Sequence, residues 1–295
     1  MIHDADTLPA ANAPIRSSGF LADMARRLRR DPVTLVAGGI LLAIALAALL
    51  APWIAPADPN QTSIVNRLRP PGTPGHPLGT DELGRDLLSR VIWGGRLTLF
   101  MGFAPVVVAT LVGGFLGILA GYAGGWVNAA IMRAMDVFYA FPSVLLAVAI
   151  SGALGGGMIN GLFALTLVFI PPIARVAESV TLQVRTQPYV EAASATGASA
   201  TRIVVGHVLK NVAGPILVYA SSLISISIVI ASGLSFLGLG VSPPDAEWGL
   251  MLSSLRQSVY VAPVNAVIPG AMIFLTSLCF NTMTDGLRHA LNVKE

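Results

Sequence analysis

Uncharged apolar runs of membrane-crossing length, separated by polar segments, dominate the chain. The first, Val33 to Ile54, carries no charge, and a helix needs about 20 apolar residues to cross the hydrocarbon core of a bilayer. Further runs at 97–121, 134–154, 157–177, 212–239 and 262–283 bring the expected spans to six. The pattern predicts an all-α integral membrane protein of about six transmembrane helices. Gly155-Gly156-Gly157 leaves little room for a turn, and Pro142, Pro171 and Pro172 interrupt the helices, which allows one span there to be broken or re-entrant.

The polar segments divide the rest. Residues 1–32 form an amino-terminal arm containing Pro9 and Pro14 and ending in Arg26, Arg27, Arg29 and Arg30; 33–54 is the first span. Residues 55–95 form a proline-rich outer loop, with Pro70-Pro71-Gly72-Thr73-Pro74-Gly75 marking irregular backbone. The core follows at 96–290, with a polar segment at 178–211. Ala55-Pro56-Ala57 loosely resembles a cleavage site, but the arm is long and the apolar run exceeds the roughly 7 to 15 residues of a signal peptide.

Composition narrows the class. With 54% hydrophobic residues, 11% charged and a mean hydropathy of +0.74, a soluble globule is excluded. Many of the 30 glycines and 20 prolines sit inside apolar runs, where they serve helix packing rather than disorder. Cys279 stands alone, so no disulfide framework or cysteine metal site can form within the chain. A net charge of +3 is spread along the topology rather than gathered in a patch, so nucleic acid is not an expected partner. The only lysines, Lys210 and Lys294, precede Asn211 and Glu295, so a phosphate-binding loop ending in Lys-Ser or Lys-Thr is absent. His3, His76, His207 and His289 fall in terminal or loop regions without metal-ligand spacing, which also leaves Ser235 without a base for hydrolase chemistry. No metal or cofactor is expected on this chain.

Positive charge sets the expected orientation. With the amino terminus inside, Arg16, Arg26, Arg27, Arg29, Arg30, Arg133, Arg175, Arg185, Arg202, Lys210, Arg288 and Lys294 face the cytoplasm. Arg67, Arg69, Arg85, Arg90, Arg96 and Arg256 face out, dividing the 18 basic residues 12 to 6. Both termini and the segment from Ala177 to Asn211 then lie on the cytoplasmic side. Arg133 and Asp136, spaced i, i+3, are placed to neutralise each other. Glu178 and Asp285 lie near cytoplasmic helix ends, and no charge falls in the middle of a span. That disfavours a stand-alone ion-coupled secondary transporter, the alternative reading.

The cytoplasmic segment reads YVEAASATGASATRIVVGHVLKN from Tyr189 to Asn211. Pro188 suits a first helical turn, Glu191 is favoured by the helix dipole, and Gly197 can supply a left-handed helix end. Ser199 can cap a second helix. Residue physics alone leaves open an ordinary cytoplasmic hairpin. The pattern Glu191-Ala192-Ala193, Gly197, Ile203, Leu209 resembles the EAA motif of membrane subunits of binding-protein-dependent ABC importers. Other blocks resemble the dipeptide, oligopeptide and nickel branch of that family. They are His76-Pro77-Leu78-Gly79-Thr80-Asp81 with Gly84-Arg85-Asp86; Arg133-Ala134-Met135-Asp136 with Ala140-Phe141-Pro142; Ser235-Phe236-Leu237-Gly238-Leu239-Gly240 with Pro243-Pro244 and Trp248-Gly249; and Asp285-Gly286-Leu287-Arg288.

The resemblance implies the type I importer transmembrane fold in a bacterial inner membrane. It implies a sister permease subunit, two ATPase subunits that use ATP and magnesium, and an outer solute-binding protein that largely sets selectivity. Cargoes in that branch include peptides, nickel chelates, opines and glutathione. The helix at 188–198 would couple to an ATPase through Glu191, Ala192, Ala193, Gly197 and Arg202. Arg133, Asp136, Pro142 and Asp285 become structural or gating candidates. Asp245, Glu247 and Trp248 would either contact the binding protein or form a proline turn with an interfacial tryptophan, and Arg85 and Asp86 would hold the outer loop in place. Two departures stand out. Leu209-Lys210-Asn211 replaces the family's Leu-Pro-Asn, removing the usual break before the next span, and His289 stands where an acidic residue is common.

Overall fold

The computed structural model describes residues 31–292, so the expected arm at 1–32 falls outside it except for its last two residues, as does Lys294. Helix α1, Pro32–Leu49, begins where the Asp31 side chain accepts the Val33 amide (3.1 Å) and Pro32 occupies the first turn, where no amide is needed. Helix α2, Leu87–Ala123, starts on a second aspartate cap, Asp86, which accepts the Ser89 amide at 2.8 Å. The expected span at 97–121 is thus the interior of a 37-residue helix, and the outer loop ends at Asp86 rather than at 95.

The region of 134–154 is not one helix. Helix α3, Gly125–Tyr139, and helix α4, Ser143–Ala153, meet at 86° across Ala140–Pro142. Pro142 removes an amide donor and cannot continue the preceding turn. Helix α5, Met158–Arg185, carries Pro171 and Pro172 inside it. Helix α6, Pro188–Ala195, is short and leads into α7, Ala200–Phe236, which runs for 37 residues with Val204–Val208 wound as a π turn. The helix continues through Lys210, between the π turn that precedes it and Pro215, which lies inside the helix. Helix α8, Trp248–Leu255, and helix α9, Pro263–Asn292, complete the order. Among the described residues five helices are long and apolar enough to cross a membrane, and a sixth crossing arises if α3 and α4 form one bent span.

The bundle is organised around α2 and α5, which run parallel, with Gly113, Gly117 and Gly121 of α2 facing Ile170, Ala174 and Glu178 of α5 in the same order. Lipid tails are as apolar as leucine, so helices in a bilayer associate through close packing rather than hydrophobic burial, and small residues let backbones approach. Gly113, Gly117 and Gly121 form such a stripe at four-residue spacing. A methyl group on Gly113 would lie 2.7 Å from the Ile170 carbonyl oxygen, and one on Gly121 would lie 2.8 Å from that of Glu178. A methyl on Gly117 would overlap the Ala174 carbonyl oxygen outright and come within 2.6 Å of the Ala177 β-carbon. Ile173, Ala177, Ile216, Leu223 and Ile228 from α5 and α7 extend this contact into the main buried core. One face of the bundle carries residues 55–86 and the segment after α7; the opposite face carries α6.

The backbone contact at Gly117 makes a sharp expectation. Gly117→Leu should destabilise the protein by about 1–3 kcal/mol or abolish its folded yield, as overpacking does. Gly214→Ala, where the added methyl meets nothing within 4 Å, should leave the thermal unfolding midpoint in detergent unchanged.

Candidate functional site

Two polar constructions flank the apolar bundle. The first is the knuckle formed by α6 and the start of α7. Pro188 opens α6 and Glu191 lies in its first turn, where the positive end of the helix dipole favours a carboxylate. The helix stops at Ala195, short of the expected 198, because Gly197 turns left-handed at φ +81°. The Gly197 amide then donates to the Ser194 carbonyl (3.0 Å) and the Ala198 amide to the Ala193 carbonyl (3.2 Å). This pair of bonds is the Schellman closure, which satisfies carbonyls that would otherwise be orphaned. Ser199 begins α7 by accepting the Arg202 amide at 3.4 Å.

The knuckle is anchored and presented at once. Val190 and Ile203 are buried in the main core, and Ala193 and Ala198 pack against it. Glu191, Ala192, Gly197 and Arg202 are exposed. Tyr189 leans on His207 with ring centroids 6.3 Å apart. His207 itself lies within the π turn of α7 and His289 within α9, so these two histidines belong to helices rather than to the loop and terminal regions expected. Behind the knuckle, Asn128 donates to the Glu178 carboxylate (2.8 Å) and Arg185 reaches the Gly121 carbonyl (3.5 Å), joining the α2–α3 turn to the end of α5.

The second construction lies on the opposite face and is largely buried. Asp81 accepts from Arg85 at 2.6 Å, and Arg90 stands 3.5 Å from the same carboxylate. Arg90 also donates to the Pro59 carbonyl (2.9 Å) and approaches the Pro244 and Asp245 carbonyls. Asp86 binds His76 Nδ1 at 3.0 Å and the Ser89 hydroxyl at 2.8 Å in addition to capping α2. Burial pushes the neighbouring Glu82 carboxyl above its usual range. These contacts tie residues 55–86 to α2 and to the segment after α7.

Trp248 corrects an expectation. It is neither interfacial nor available to a partner: its indole is 1% exposed, donates to the Val91 carbonyl (2.9 Å) and lies against Gly94. Arg85, Asp86 and Glu247 are buried as well, so of the outer residues singled out in the sequence only Asp245 is exposed. Glu247 caps α8 through the Gly249 and Leu250 amides (2.9 and 2.8 Å) and accepts from Thr98 on α2 (3.1 Å). The burial of these residues depends on helices distant in sequence, and no local pattern carries it.

A second correction concerns Asp136. It pairs with Arg175 on α5, not with Arg133, which is exposed on its own helix. The Arg175 guanidinium also lies over the Tyr139 ring at 4.6 Å. Pro142 sits at the helix break, and Asp285 is exposed near the end of α9.

Comparison with known proteins adds a consistent set of relatives. The family described as "Binding-protein-dependent transport system inner membrane component" matches residues 113–294, and the N-terminal transmembrane domain of oligopeptide transport permease C matches residues 19–71. The chain is 40% identical over 269 residues to the glutathione transport system permease protein GsiD of Pectobacterium atrosepticum, covering 91% of this chain and 89% of that one. It is 43% identical over 264 residues to the di/tripeptide transport system permease protein DppC of Pseudomonas aeruginosa, covering 87% of each. Among solved structures, the MetNI methionine ABC transporter in inward-facing conformations shares the fold, with a TM-score of 0.53 at 18% identity over 67% of this chain and 96% of that chain.

The buried outer construction has measurable consequences. Trp248→Ala should cost about 3–5 kcal/mol, as loss of a fully buried large side chain does, while Asp245→Ala should leave the unfolding midpoint in place. Burial raises the Glu247 carboxyl above its ordinary value, against the pull of its amide and hydroxyl partners. The folded protein therefore holds that proton more tightly than the unfolded chain. The stability this confers is present below the ordinary carboxylate range and is lost as pH rises through the folded value. Glu247→Gln should flatten that part of a stability–pH profile.

Proposed function

Because this chain belongs to the inner membrane components of binding-protein-dependent transport systems, we propose that it lines half of the path by which an ATP-driven importer moves short peptides or a peptide-like solute such as glutathione. It is the permease subunit of a binding-protein-dependent ABC importer. The cargo assignment follows its relatives, which are named for glutathione, D,D-dipeptide and di/tripeptide transport. A second, related permease chain forms the other half of the path. Both termini and the α6 knuckle face the cytoplasm, in keeping with the 12 to 6 division of basic residues. ATP and magnesium are used by two ATPase subunits on that side, and the solute arrives from the binding protein on the other.

The observation that carries the mechanism is the build of the knuckle. A partner's motion can reach the membrane only through an element stiff at both ends. Helix α6 qualifies: the Schellman closure fixes one end, while Val190 and Ile203 anchor it to the core that holds α5 and α7. Its exposed Glu191 and Ala192, with Arg202 at the start of α7, form the surface on which an ATPase subunit docks. Glu191 pairs there with a basic group, and breaking such a pair from one side leaves the partner charge uncompensated. Asp136, Pro142, Arg133 and Asp285 lie on or beside the helices that this movement displaces. A bent helix pair beside an ion pair, as at Asp136 and Arg175, also suits a transporter acting alone on an ion gradient, but the family match and relatives covering nine-tenths of the chain favour the importer.

In liposomes containing the complete importer, Glu191→Lys and Gly197→Val should both remain membrane-inserted and retain basal ATPase activity. Stimulation of that activity by the loaded binding protein should disappear, and uptake of labelled solute should fall roughly tenfold or more, the change given by about 1.4 kcal/mol of lost coupling. At Gly197 the added side chain meets no neighbour, and the effect comes from the left-handed backbone alone. Normal uptake in both variants would remove α6 from the coupling role.

A further inference from the structure

The bend between α3 and α4 has an environment that lipid cannot supply. Residues 137–145, which include the break at Ala140–Pro142, are all exposed on the isolated chain. No side chain caps the amino end of α4, so its first amides lack a partner from that source. Facing this break across a cavity of about 420 Å³ are Pro171 and Pro172 of α5. These prolines have no amides to offer the carbonyls of Leu167 and Val168 one turn earlier. Two helices therefore give up backbone hydrogen bonds beside the same cavity. Irregular backbone at membrane depth is tolerated where protein covers it or water reaches it, because each unsatisfied group in hydrocarbon costs several kcal/mol.

The side chains around the cavity agree with the backbone. Tyr139 and Tyr219 contribute phenols, and Phe141 and Leu223 complete an otherwise apolar wall. Beside Tyr139 stands the Asp136–Arg175 pair, each partner 44% exposed. A half-exposed ion pair on membrane helices faces protein or an aqueous cavity rather than acyl chains. One side of α5 is taken by α2 along the glycine stripe, while residues 137–145 of the bend beside its prolines remain exposed.

Resting on the reading of this chain as an importer permease, we infer that the α3–α4 bend, with Pro171–Pro172 opposite, is its wall of the water-filled solute path. Tyr139, Tyr219 and the Asp136–Arg175 pair are the groups that wall offers to passing solute. The mixture of aromatic surface and one charge of each sign suits a small zwitterion with apolar side chains.

The test is thiol accessibility in the complete importer held in lipid nanodiscs, with Cys279→Ser as background. Ala140→Cys and Ser143→Cys place small thiols at the bend, and Leu42→Cys on the exposed side of α1 is the dry control. The reagent is a permanently cationic methanethiosulfonate. Thiolate is the reactive species and needs water to ionise, so both bend positions should be modified roughly tenfold or more faster than position 42. Modification at both bend positions as slow as at position 42 would overturn the assignment, as would faster modification only by a neutral, lipid-soluble maleimide. Binding-protein-stimulated ATPase activity is measured on the same samples. Its presence with slow modification sinks the path assignment alone, whereas its absence in the Cys279→Ser background sinks the importer reading beneath it.

Discussion

The contact on which the molecule depends is the backbone approach of α2 to α5 along Gly113, Gly117 and Gly121. In a bilayer there is little hydrophobic gain from pressing one apolar helix on another, so cohesion comes from dispersion at short range. A ridge without side chains maximises that contact, and the carbonyls of Ile170, Ala174 and Glu178 fill the space that β-carbons would otherwise need. Both helices lead directly to the polar constructions. The amino end of α2 carries Asp86, Arg90 and Thr98, and the carboxyl end of α5 leads into α6. A displacement of α6 is therefore delivered to a rigid pair rather than to a single flexible helix.

The distribution of polarity follows from the same constraint. Charges deep among packed helices would be expensive, and apart from the Asp136–Arg175 pair beside the α3–α4 bend the buried charges gather toward the outer face. There, burial of Arg85, Arg90 and Glu247 is compensated by carboxylates, carbonyls, amides and the Thr98 hydroxyl, and this fastens an irregular loop that has little apolar core of its own. On the opposite face, Glu191 and Arg202 remain exposed on a knuckle whose apolar side is sunk into the bundle. One face invests its charges internally, and the other presents them.

Much of this was legible in the sequence wherever the governing physics is local. Hydropathy over about 20 residues located the long helices, and the left-handed Gly197 and capping Ser199 follow rules that act within a few positions. Long-range relations were not accessible in the same way. Asp136 has Arg133 one turn away yet pairs with Arg175, 39 residues distant, because the packing of α3 on α5 decides which guanidinium it meets. Trp248 reads as interfacial by type, but the space above Gly94 of α2 buries it. The four-residue spacing of Gly113, Gly117 and Gly121 acquires its meaning only from the helix it meets, because small residues recur in nearly every span.

The continuous course of α7, through the π turn at Val204–Val208 and past Pro215, gives it the reach of a lever. Thirty-seven helical residues extend for about 55 Å at 1.5 Å per residue. With a fulcrum near Ser199, a tilt of only about 5° would sweep the far end, beside Leu237–Gly240, through roughly 5 Å on that length. Angular precision at one end of such a rod becomes travel at the other, so a stroke too small to disturb the interlocked glycines could still change an aperture by about the thickness of a polypeptide.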